Sequence, residues 1–175
     1  MGATGDIRIR VGEVSDARGL AELSVATWRA AYTGLMPEEL LSMHSVEQRE
    51  ALFAKSPDPK SGRRLWVAED AERIVAYASA GRARGPSNED GLTGELYAIY
   101  VAAELWSAGL GQRLLAEVVA YHRSLGLRRC LVWVLTANER ARRFYERAGF
   151  ELDVEREEKE FLGFRLWHTR YALGL

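Results

Sequence analysis

Apolar residues recur along the chain with two periods, and the changes between them mark the elements. "IRIRV" at 7–11 alternates and predicts a short strand. Ser15 and Asp16 offer an N-cap, after which Leu20, Leu23, Thr27, Trp28 and Ala31 return at helical spacing to about Tyr32; Gly34 is a natural stop. Pro37 suits the first turn of a second helix, "PEELLSM", and Ser45 caps a third, "VEQREALFA". After a polar loop at 55–62, "RLWVAE" (64–69) and "RIVAYASAG" (73–81) read as a hairpin turning at Asp70, Ala71 and Glu72. "RARGPSNEDGLTG" (82–94) is a surface loop by composition, and "ELYAIYV" (95–101) is a β-rich run. A helix starts at the glycine pair Gly109 and Gly111 and ends near Leu125, with Gly126 just past it. "RRCLVWVL" (128–135) is the most apolar strand, expected to be central and covered on both faces. Asn138 caps "ERARRFYERA"; "FELDVER" and "FLGFRLWHTRYAL" read as the last strands, with "EREEKE" (155–160) a solvated turn between them. This order predicts an α/β or α+β fold, a mixed sheet carrying helices, and the length suits one domain, 1–175.

Composition changes the picture of partners more than of fold. Hydrophobic residues at 47% and charged residues at 28% are ordinary for a globular protein. A formal net charge of −1 with no dense basic block argues against nucleic acid as a partner. The arginines at 123, 128 and 129 and at 140, 142 and 143 read as solvated helix faces. Lysine stands only at 55, 60 and 159 amid abundant arginine, the usage of a GC-rich bacterial genome. Cys130 lies inside an apolar run and reads as a buried small hydrophobe, and no Cys/His spacing calls for a metal. No apolar run reaches the roughly 18 residues that span a membrane, and the first residues lack a signal-peptide core, so no membrane association and a cytoplasmic location are expected.

The candidate chemistry begins in "ELWSAGLGQRLLAEVV", which opens at Glu104. Helix N-termini attract anions, because their first N–H groups are unsatisfied and the macrodipole is positive there. Leu114 stands where the dinucleotide fingerprint needs a third glycine, and "GLGQRLL" lacks the Gly-Lys-Ser/Thr of the nucleoside-triphosphate loop. With both excluded, the surrounding elements decide. "ELYAIYV…GLGQRLL…LVWVLTANERARRFYERAGF" resembles the GNAT superfamily of N-acetyltransferases, specifically over 94–152 and more loosely over the whole element order.

That resemblance implies a mostly antiparallel sheet of about seven strands, splayed at the strands before and after the coenzyme-binding helix. It implies acetyl-CoA as co-substrate, with Ser107, Ala108, Gly109, Leu110, Gly111 and Gln112 cradling its pyrophosphate and Arg113 adding charge. Trp106 departs from the family's Gln or Arg at the front of this loop and is expected to pack beneath it. Main-chain groups along Ile99, Tyr100 and Val101 would hold the pantetheine arm like an added strand, and a nearby N–H would stabilise the oxyanion. Asn138 and Tyr145, nearly two helical turns apart, project from one side of a helix; the amide would lie near the pantetheine and the phenol would be the general acid for the departing thiolate. An alkylammonium, of pKa about 10, must lose a proton before it attacks. Glu95 is the candidate base, with proton transfer through water chains as the competing account, and strand alternation sets Glu95 on one face with Tyr97, Ile99 and Val101. His168 is a second candidate read as structural, and His44 and His122 read as helix-surface residues. Trp28, Tyr32, Tyr77 and Trp133 are candidates to line the acceptor pocket. The implied reaction is direct attack by a primary amine of a small molecule. Acylation of a protein amine, another acyl group, or a non-catalytic acyl-CoA sensor are the alternatives, and a homodimer is compatible.

Overall fold

The computed structural model describes residues 7–55, 62–71, 73–88, 90–161 and 163–175, so most of the 55–62 loop and the turn residue Glu72 lie outside the described residues. In chain order the elements are β1 (Arg8–Val11), α1 (Ala17–Tyr32), α2 (Glu38–Ser42), α3 (Val46–Phe53), β2 (Arg64–Asp70), β3 (Arg73–Arg82), β4 (Thr93–Val101), α4 (Leu110–Ser124), β5 (Arg129–Leu135), α5 (Glu139–Arg147), β6 (Glu151–Phe161) and β7 (Phe164–Gly174). One seven-stranded sheet runs β1-β2-β3-β4-β5-β7-β6. Every neighbouring pair is antiparallel except β4 and β5.

Each face of the sheet has its own apolar layer. Leu110, Leu114, Leu115 and Val118 of α4 pack on Trp66, Ala76, Ala78, Leu96, Cys130, Val132 and Val134, with Tyr145 and Phe150 closing one end. The opposite face carries Leu20, Ala21 and Leu23 of α1 and Phe53 of α3, packed on Leu65, Val67 and Tyr77. Cys130 is fully buried, and burial pushes its thiol up to about 12, in keeping with an inert apolar role.

Three expectations change. The acidic stretch 155–160 is not a turn: β6 continues through it to Phe161. As the sheet's edge strand, it keeps the side chains of Glu157, Glu158 and Glu160 exposed, and it pairs with β7, Glu158 facing Trp167 and Glu160 facing Arg165. His122 is not on the helix surface but fully buried, in a hole left by Gly94; a Cβ added there would stand 2.7 Å from the imidazole. Its Nε2 lies 3.0 Å from the Gly81 carbonyl, its Nδ1 has no partner among the described residues, and desolvation lowers its pKa. His44 follows α2, where it meets Trp28 edge-on with ring centroids 4.8 Å apart.

The third change bears on the site. The register of β3 against β4 slips between Ser79 and Ala80, so that Ala98 faces Ser79 and Leu96 faces Ala80, leaving Tyr97 as an extra residue in β4. This bulge reverses the alternation. Leu96, Ile99 and Val101 pack toward α4, whereas Ala98 and Tyr100 pack toward α1. Glu95, one residue before Leu96, therefore points to the α1 face and does not share a face with Ile99 and Val101.

Candidate active site

β4 and β5 pair only from Thr93–Arg129 to Leu96–Val132, and beyond that point no pairing joins them. The far edge of β4 is held by β3, where Tyr100 faces Tyr77 and the Ala102 N–H bonds to the Val75 carbonyl at 2.8 Å. Alternation then aims the main-chain groups of Ile99 and Val101 into the gap, with Ile99 nearer its vertex. The gap is a cleft of about 120 Å3, walled among others by Ile99, Val101, Trp133, Asn138 and Tyr145. It adjoins a cavity of about 460 Å3 over the loop before α4, and Ile99, Val101, Trp106, Arg140, Ala141 and Tyr145 line both.

The loop itself is shaped by two left-handed residues, Ser107 at φ 66° and Gly109 at φ 81°, the latter capping α4. Only glycine adopts this geometry without strain, and the serine pays about 1 kcal/mol for it. The N–H groups of Ser107, Gly109, Leu110 and Gly111 donate to no backbone acceptor among the described residues, whereas those of Ala108, Gln112 and Arg113 do. Four free donors at the positive end of a 15-residue helix suit a phosphate-sized anion. Gly111 also lets the Phe144 ring approach, since a Cβ there would stand 3.2 Å from it.

Trp106 packs within this site. Its indole N–H donates to the Val101 carbonyl at 2.8 Å, tying the front of the loop to the end of β4. The Arg140 guanidinium covers the ring at 3.1 Å from its centroid. One of the carbonyls that faces the gap is thus already occupied by a side chain. Arg140, two residues into the Asn138-capped helix, was not singled out by the sequence, where it reads as one of a run of surface arginines.

Tyr145 is 6% exposed, wedged between Phe144 and Phe150 with centroids at 5.0 and 5.5 Å. Its hydroxyl has no hydrogen-bond partner among the described residues. Burial is the main force holding the phenol protonated well above its ordinary pKa, and Tyr32 and Cys130 add to it. Tyr32 and Tyr100 wall the same cleft, their hydroxyls 3.5 Å apart, and burial raises both. Asn138 is buried and spends its side-chain oxygen capping α5 at the Ala141 N–H, 3.1 Å away.

Other expected residues stand farther off. Glu95 is 6% exposed but does not wall the cleft; the Arg84 guanidinium and backbone N–H hold both of its oxygens. Arg113 donates to the Ile7 carbonyl at 2.8 Å, and neither it nor Ala108 lines the loop cavity. Tyr77 is fully buried under Phe53 and bonds to Ser24, which makes it a core residue; β4 separates its strand from that of Trp133. Trp28 packs on Tyr32 with tilted rings, its buried indole N–H has no partner among the described residues, and it meets Phe161 at the tip of β6. His168 is partly buried and bonds to the Leu166 carbonyl, a structural placement. A third cavity, about 680 Å3 beside α1 and β3, has charged walls already paired as Arg10–Asp16 and Arg73–Glu104.

Known proteins resemble this chain in sequence and in fold. A family model described as "Acetyltransferase (GNAT) family" matches residues 23–150. An uncharacterized N-acetyltransferase of Bacillus subtilis is 30% identical over 133 residues, covering 75% of this chain and 73% of its own length. A Mycobacterium tuberculosis protein named "Probable N-acetyltransferase Rv2775" is 28% identical over 96% of this chain and 94% of itself. The Salmonella typhimurium protein yncA, solved with its cofactor acetyl-CoA, superposes with a TM-score of 0.73 at 20% identity, covering 97% of this chain and 94% of that one. Among the described residues, no helix is long and apolar enough to cross a membrane. With the splayed sheet, the loop of free amides and a family match spanning most of its length, the chain belongs to the GNAT family of acetyltransferases.

Proposed function

We propose that the protein transfers an acetyl group from acetyl-CoA to the primary amine of a small molecule, by direct attack in a ternary complex. The observation that carries this reading is the continuity of the splayed cleft with the loop cavity, which gives one chain of walls from free helix amides to a buried phenol. Ser107, Gly109, Leu110 and Gly111 offer N–H donors for the pyrophosphate, and Gln112 walls the same cavity. The backbone groups of Ile99 and the Val101 N–H are left for the pantetheine arm, because Trp106 takes the Val101 carbonyl. When bound, the coenzyme supplies an activated thioester carbonyl in the cleft. The Ile99 N–H, nearest the vertex, is placed to stabilise negative charge developing on that oxygen. The Tyr145 O–H, protonated at any working pH, donates to the departing sulfur. Glu95 is held by Arg84 outside the cleft walls, so it takes the amine's proton only through water.

Tyr32 and Trp133 wall the acceptor end, backed by Trp28. A narrow cleft with aromatic walls favours a small amine over a protein surface. A cytoplasmic location and pairing of two copies through the exposed β6 edge complete the reading. The test is thermal stabilisation by acetyl-CoA, followed by a panel of amines monitored for released thiol. Stabilisation with turnover of small amines is expected. Absence of stabilisation at saturating coenzyme overturns the ligand, and turnover of peptides alone overturns the acceptor class.

A further inference from the structure

An amine of the chain itself stands beside the acceptor end of the cleft, against one of its walls. Lys159, on the β6 strand that was expected to be a solvated turn, places its Nζ 3.1 Å from the centroid of the Trp133 ring. That ring walls the cleft together with Tyr145. Register places Lys159 on the α1 face of the sheet: Trp133 faces Arg170, and residues two and four back on β7, His168 and Leu166, face Glu157 and Lys159. Glu95 projects to the same face, and its charge acts on the lysine. No carboxylate among the described residues forms an ion pair with Lys159, although Glu157, Glu158 and Glu160 lie beside it in sequence. A lysine on an edge strand rich in glutamate ordinarily reaches into water or to a carboxylate. This one instead lies partly buried on an indole.

We propose that Lys159 is an acetyl acceptor in cis, so that the protein acetylates its own β6 strand. This inference rests on the acetyl-CoA reading above. The chemistry is that of the intermolecular reaction. The Nζ ammonium loses one proton to water, and its lone pair forms a bond to the acetyl carbon as the carbon–sulfur bond breaks. A second proton leaves the nitrogen and one is taken up by the thiolate, giving an N-acetyl lysine, coenzyme A thiol and one proton released to solvent. Desolvation favours the first step, since it lowers the pKa of Lys159 against the raising effect of Glu157 and Glu95 and with the help of Arg170 and Arg84. Acetylation removes the charge that holds the side chain on Trp133, and leaves an amide beside that wall of the acceptor cleft. The modified protein is expected to turn over external amines more slowly than the unmodified one.

The experiment is to incubate the purified protein with acetyl-CoA and no amine, then map acetylated lysines by peptide mass spectrometry. Lys55 and Lys60 serve as internal references for uncatalysed acetylation. The expected result is modification at Lys159 at least tenfold faster than at either reference, with a first-order rate unchanged on dilution of the protein. It should be lost in urea and competed by free coenzyme A. Lys159→Arg should melt at the wild-type temperature and take up no acetyl group at this strand. Equal labelling of all three lysines, labelling that persists in urea, or a rate proportional to protein concentration overturns the proposal. If acetyl-CoA stabilises the fold and external amines turn over while Lys159 stays unmodified, this inference alone fails. If the coenzyme does not bind, the reading beneath it fails.

Discussion

Replacing Tyr145 with Phe removes one oxygen from the cleft and leaves the ring. The ring carries the packing, since it sits between Phe144 and Phe150 and is 6% exposed. The hydroxyl has no hydrogen-bond partner among the described residues, so its loss leaves no buried donor or acceptor stranded. The expected stability change is that of a benign substitution, within about 0.5 kcal/mol, or about 2 °C in Tm for a chain of this size. Catalysis should respond very differently. A preorganised donor to charge developing in the transition state is worth about 10²–10³ in kcat, or roughly 3–4 kcal/mol. The Tyr145→Phe protein should therefore melt like the wild type, bind acetyl-CoA with unchanged Kd, and release thiol about 10²–10³-fold more slowly at saturating amine. Scanning calorimetry, titration calorimetry and a thiol-release assay read the three quantities separately. An unchanged kcat would remove Tyr145 from the chemistry. A fall in kcat matched by a large fall in Tm would make the hydroxyl structural.

Other perturbations probe the rest of the site and its support. Trp106→Phe keeps the apolar ring but loses the 2.8 Å bond to the Val101 carbonyl. A net hydrogen bond is worth about 1 kcal/mol, so Kd for acetyl-CoA should rise about fivefold with kcat nearly constant, as titration calorimetry would detect. Gly94→Ala drives a methyl to 2.7 Å from the buried His122 ring; overpacking of this kind costs about 1–3 kcal/mol, to be read as a lower Tm with unchanged kcat per folded molecule. His122 also fixes a pH dependence. Its folded pKa lies below 6.5 because burial penalises the charged ring, so the unfolded chain binds the proton more readily. Stability should hold above about pH 6.5 and fall as the pH drops from there through the depressed folded value. Urea denaturation at pH 7.5 and 5.5 should show this loss, and His122→Gln should show less of it; an equal loss in both proteins would refute the assignment to His122.

Much of the fold was legible because its elements obey local rules. The glycines after α1 and α4, the Asn138 cap and the apolar run of β5 each announce a boundary or a buried strand by the chemistry of one or two residues. Where reading failed, the determinant lay in another part of the chain. Nothing in "EREEKE" reveals a strand, because the partner that makes it one is β7 and its edge position is what tolerates the charges. Helical spacing sets His122 on the buried face with Leu115 and Val118, but the room that an imidazole needs there is created by Gly94 on another element, β4.

The site divides along the same line. The free amides before α4 follow from glycine spacing at a helix start, which is local, and that part was readable. The orientation of Glu95 was not, because it turns on the register slip at Tyr97, and a slip exists only between two strands. That single extra residue divides one strand between two faces: it turns Glu95 and Tyr100 toward α1, while Ile99 and Val101 keep their side chains on α4 and their main chain in the gap. The departure of Trp106 from the family's loop pattern has the same kind of explanation. From the position where the family has Gln or Arg, an indole N–H donates to β4, and its ring gives Arg140 a platform over the loop. The loop before α4 is thus anchored to the end of β4 by one hydrogen bond, and on the proposed function that bond joins the phosphate site to the strand offered to the pantetheine.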